Sequence, residues 1–82
     1  MDEIIKAVVE RTRGIIDKKR VEKIYEASGI RFDKYGNILI KSNASDTLNS
    51  LIKNLIIEGG VIAKIMLHNL SDEKDLKILE SY

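Results

Sequence analysis

The residues best equipped for chemistry in this 82-residue chain are cations, and they crowd one stretch. In "RTRGIIDKKRVEK", Arg11, Arg13, Lys18, Lys19, Arg20 and Lys23 are interrupted only by the acids Asp17 and Glu22. Guanidinium and ammonium groups gathered this way bind phosphates, with an affinity that falls as salt rises. On one helix, at about 100° per residue, the six do not line a single face. Arg11, Lys18 and Glu22 share one stripe, Arg13 and Arg20 another. A dimer would present two such patches to a nucleic acid. A chain acting alone would carry them as a solvated helix face, which is what charge runs usually are. Tyr25, Tyr35 and Tyr82 are too scattered to form a platform for stacking bases.

Catalytic spacings are absent. The chain holds no G-x-x-x-x-G-K-S/T, no G-x-G-x-x-G and no G-x-S-x-G, so it has no phosphate-cradling loop or nucleophile elbow of those kinds. His68 is the only imidazole, set near the end of an apolar stretch where a helix dipole favours its protonated form. Asp72, Glu73 and Asp75 cluster, as acids do at a helix start. With no cysteine there is no thiolate nucleophile and no thiolate metal site. The reading is a non-catalytic protein without metal or cofactor.

The elements that would position these groups belong to one small domain, residues 1–82. A core of this size sits near the lower limit of self-sufficiency. Without disulfides or a structural metal, self-association is the remaining support, and at least a homodimer is expected. Composition is 44% hydrophobic and 33% charged, too apolar for a disordered chain. No apolar run reaches the roughly 20 residues of a membrane span, and "MDEIIKAVVER" lacks the basic start of a signal peptide, so no membrane partner and a cytoplasmic location are expected. Net charge is +1, divided as +3 over residues 1–41 and −2 over 42–82, which is weaker than the footprint of most nucleic-acid binders. The Ile, Lys and Glu load, without Pro or Cys, fits a thermophile, possible archaeal origin included, or equally an AT-rich mesophile genome.

Apolar spacing predicts a long helix from residue 2 to about 28, through Ile4, Ile5, Val8, Val9, Ile15, Ile16, Val21, Ile24 and Tyr25. Gly14 marks a kink in it, or a break into two helices, and Gly29 a left-handed C-cap. "GIRFDKYGNILIKS" alternates as a β-hairpin, Ile30 and Phe32 against Ile38 and Ile40, with its turn at "DKYGN". Leu39 points away from Ile38 and Ile40, as if the second strand were covered on both faces, by a helix and by a partner subunit. Ser42, Asn43 and Ser45 can each cap a second long helix that runs to about Leu70. A break at Asn69 and a cap at Ser71 then start a short final helix through Leu76 and Leu79, with a closing strand as the alternative. The fold class is a helix-dominated α+β arrangement, α-ββ-α-α.

In the second long helix, "NLIIEGGVIAKIML" sets two glycines amid apolar residues. On a wheel, Leu48, Leu51, Ile52, Leu55, Ile62, Ile65 and Met66 form one apolar face, and Ile56, Gly60, Ala63, Leu67 and Leu70 a second. A helix apolar nearly all round is buried on more than one side. Gly59 and Ala63, one turn apart, would admit another backbone, at a cost of about 1 kcal/mol in helix propensity for each glycine. The expected interface with a second copy therefore holds Leu55, Ile56, Gly59, Gly60, Ile62, Ala63 and Met66. Packing within the chain is the alternative, and a helix break near Glu58 is a third reading.

The segment from Gly29 to Leu67 resembles the core of roadblock (dynein light chain) domains. Asp33, Gly36, Ile38 and Ile40 match the family's hairpin, and Leu48, Leu51, Gly59, Gly60, Ala63 and Lys64 its helix pattern. That resemblance implies a non-catalytic homodimer that scaffolds or regulates other proteins. "VEKIYEASG", a loop, a central helix and a short helix also resemble the histone fold, which implies dimerisation through crossed central helices and DNA binding. The resulting reading is a homodimeric protein-interaction or regulatory module. Its alternative is a dimeric DNA-binding protein that uses the basic segment 11–23.

Overall fold

The computed structural model describes residues 2–74, and the expected final helix or strand through Leu76 and Leu79 lies outside them. Within them the order is α1 (Asp2–Arg13), α2 (Lys18–Ala27), β1 (Ile30–Phe32), β2 (Ile38–Ile40) and α3 (Ala44–Lys74). The expected long first helix is two helices. After Arg13 the chain turns through Gly14, with the Ile15 and Ile16 amides closing onto the Thr12 carbonyl. Asp17 then restarts the helix as an N-cap, accepting from the Arg20 amide. Gly14 alone is only a soft point; the cap three residues later, Asp17 before Lys18, turns it into a break.

Helix α2 ends at Ser28, and Gly29 follows with φ +79, the left-handed conformation expected of it. The hairpin pairs Ile30 with Ile40, Arg31 with Leu39 and Phe32 with Ile38. Its inner face therefore carries Ile30, Phe32, Ile38 and Ile40 onto the core, and its outer face leaves Leu39 about half exposed. Asp33 builds the turn, its carboxylate accepting from the amides of Tyr35 (2.9 Å) and Asn37 (2.8 Å) and from Asn37 Nδ2, while Gly36 takes φ +84. Asn43 caps α3: its side chain accepts from the Asp46 amide at 2.8 Å and donates to the Asp46 carboxylate.

Helix α3 is not straight. At about 1.5 Å per residue its 31 residues would stretch some 45 Å, yet the longest dimension of the molecule is 31 Å. The bend is at Gly60, whose φ of 57° and ψ of −133° are non-helical and open to glycine alone. Residues 44–59 form a first arm and residues 61–74 a second. The expected break at Asn69 does not occur. Met66, Leu67, Leu70 and Ser71 are all buried, and that packing carries the helix through the local preferences of Asn69 and Ser71. Leu48, Leu51, Ile52 and Leu55 from the first arm and Ala63, Met66, Leu67 and Leu70 from the second enclose, with α1 and α2, one continuous core.

Candidate interaction surface

The cations separate once α1 and α2 are distinct. Arg11 forms an ion pair with Glu73, tying α1 to the second arm of α3. The Arg13 guanidinium lies 4.4 Å from the centre of the Phe32 ring, a cation–π contact. Lys18, Lys19, Arg20 and Lys23 remain exposed on α2, interleaved with Glu22 and Glu26. His68 Nε2 stands 3.5 Å from the Asp72 carboxylate, both well exposed, and Asp75 lies outside the described residues. Among the described residues no three His, Asp or Glu side chains converge as metal ligands would, and no helix is long and apolar enough to cross a membrane.

Buried polar groups are mostly braces. Tyr25 Oη lies 2.5 Å from Thr12 Oγ1, and each is 3.0 Å from the Val9 carbonyl, so a chain of hydroxyls fastens α2 to α1. Burial pushes the Tyr25 hydroxyl above its usual pKa, against the opposing pull of the Thr12 hydrogen bond and the Arg13 charge. Asn54 donates to Ser28 Oγ, which donates to the Ile24 carbonyl, fastening α3 to the end of α2. A cleft of about 350 Å³ separates α1 from the hairpin, with Val9, Phe32 and Ile38 in its wall and both signs of charge, Glu10 and Arg13, at its edge.

The residues expected at a dimer interface are divided by the bend. Leu55, Ala63 and Met66 are buried in the chain's own core, so that part of the set is corrected. Gly59 and Ala63 lie on the inner side of the bend: a Cβ built on Gly59 would come within 2.8 Å of the Ala63 Cβ, whereas helical neighbours four apart normally keep about 5–6 Å. Their small size serves that crowding. Ile56 is half-buried, and Gly60 and Ile62 are exposed.

The outer side of the bend is apolar and open. Ile57 is 75% exposed, Val61 71%, Ile62 65% and Ile65 55%. Large apolar side chains scattered singly are ordinary, but four within nine residues, next to the bare backbone of Gly60, form a patch. Ile57 and Val61 were not expected there from the wheel. Val61 and Ile65, four apart within the second arm, share a helical stripe, and Ile57 lies across the bend from them. A comparison with family models, with curated proteins and with solved structures finds no match to this chain.

Proposed function

We propose that this protein is a small, non-catalytic interaction module of the cytoplasm that associates with a second copy of itself and in that form engages other proteins. The observation that carries the reading is the open apolar patch of Ile57, Val61, Ile62 and Ile65 on the outside of the α3 bend. Large apolar side chains exposed this close together along the chain are costly in water, and such surface marks contact sites. The small core points the same way, because chains near this size commonly gain stability from partners. The resemblance to roadblock domains, with its implied homodimeric scaffold, is consistent with it. Sedimentation velocity across micromolar to near-millimolar concentrations tests the reading. The expected result is a mass that climbs above the monomer as concentration rises, and a monomer throughout would overturn it.

A DNA-binding dimer is the second reading, favoured by the four exposed cations of α2, Lys18, Lys19, Arg20 and Lys23. Arg11 and Arg13, already engaged with Glu73 and Phe32, weaken it. A gel-shift with random duplex at low salt discriminates: retardation at micromolar protein that fades with added salt supports it, and unshifted DNA removes it.

A further inference from the structure

We propose that the cleft between α1 and the hairpin binds a small apolar carboxylate, with the Arg13 guanidinium holding its anionic end. The cleft shares no residue with the outer side of the α3 bend, so the site stands or falls apart from self-association. It arises from how the hairpin is seated. β1 packs against α2, while the hairpin stands off α1 and leaves about 350 Å³ between them. Ile5 and Val9, both buried, form the α1 wall. Phe32, Ile38 and Ile40, the inner face of the hairpin, form the other and stay only half-buried. Small-molecule sites are apolar clefts of about 300–1,000 Å³ with a few placed polar groups. This one falls at the small end, which suits a compact ligand.

The polar groups at the rim select the ligand. Lys6, Glu10 and Arg13 lie along the same side of α1 as Ile5 and Val9, giving the lining two cations to one anion. Among the described residues none of the three takes part in an ion pair. Arg13 is the one held in place. Its guanidinium lies 4.4 Å from the centre of the Phe32 ring, and that ring meets Tyr25 edge-on at 5.6 Å. A ring face attracts the charge but leaves the fork of N–H donors unmet. A carboxylate takes two of those donors at once. A ligand docked by its acid group on Arg13 lays its apolar body along Phe32, Ile38 and Val9. An alcohol of the same length lacks the charge for the fork, and an amine meets two cations against Glu10 alone.

Amide chemical-shift titrations of the wild-type protein at neutral pH, with butanoate, hexanoate and octanoate as probes, test the site. Saturable shifts are expected at Ile5, Val9, Arg13, Phe32 and Ile38. Octanoate should half-saturate at about 0.1–10 mM, as suits a ligand of so few atoms. Each added CH2 that enters the cleft should tighten binding about threefold. Hexanol and hexylamine should bind about tenfold more weakly than hexanoate, a comparison that needs no variant. Arg13→Gln should weaken hexanoate about tenfold and leave hexanol unchanged, and Arg13→Lys, which keeps the charge without the fork, should fall between. Hexanol or hexylamine binding as tightly as hexanoate would overturn the site. So would shifts that fall elsewhere or never saturate, or an Arg13→Gln variant that keeps hexanoate or loses both ligands equally.

Discussion

Two glycines with the same propensity cost do different work here, and that difference can be measured. Gly60 holds a backbone conformation reserved for glycine, with open space where a Cβ would stand, so its constraint is conformational rather than steric. Gly60→Ala is expected to lower stability by about 1–3 kcal/mol. Gly14 has neither a positive φ nor a neighbour within reach of a Cβ, and Gly14→Ala is expected to raise stability by about 0.4–1 kcal/mol. Urea midpoints of the two variants decide the matter; a gain at position 60 equal to that at position 14 would contradict the bend. Thr47 offers a second residue-scale test. Its hydroxyl is buried without a hydrogen-bond partner among the described residues. Thr47→Val, which keeps the shape and removes the stranded oxygen, is expected to leave stability unchanged or to raise it by about 1 kcal/mol. A clear loss in thermal or urea unfolding would show that the oxygen is satisfied in solution.

At the scale of elements, the hairpin depends on one carboxylate. Hydrogen bonds from Asn37, first its backbone and then its side chain, with the Tyr35 and Gly36 amides, hold the Asp33 pKa below its ordinary 3.8. A pKa lowered by folding stabilises the folded turn above the unfolded value, and the contribution is lost as pH falls through the lowered pKa. The amides of Tyr35 and Asn37 should therefore keep their NMR shifts and exchange protection above about pH 4 and lose them in stronger acid. Asp33→Asn should show weaker protection with no such acid step, and an unchanged titration in that variant would sink the assignment. This hairpin was legible in the sequence because "DKYGN" sits between alternating residues, and its register follows from which side chains are apolar. The C-terminal end of α2 and the start of α3 were legible for the same reason, since Gly29 and Asn43 act locally. The breaks were harder. Gly14 becomes a helix end only in combination with Asp17, and Gly60 becomes a bend only because both arms find core to cover. Asn69 and Ser71 misled in the opposite direction, since their local preferences yield to burial on each side.

For the whole molecule, the bend decides which apolar residues are left over. A straight helix apolar nearly all round needs partners on several sides. Bent at Gly60, α3 satisfies its inner side within one small core and carries Ile57, Val61, Ile62 and Ile65 outside. The sequence therefore showed that surplus apolar surface existed, and periodicity on an unbroken wheel assigned it to partly the wrong residues, Leu55, Ala63 and Met66. The most direct test is the solution mass of the wild type beside Val61→Lys, which puts a charge at the centre of the outer patch without touching the core. Sedimentation equilibrium should show the wild type rising from 9.3 kDa toward twice that mass as concentration passes through the micromolar range, while Val61→Lys stays at the monomer. A wild type fixed at the monomer mass, or a variant that associates as strongly as the wild type, would contradict the account.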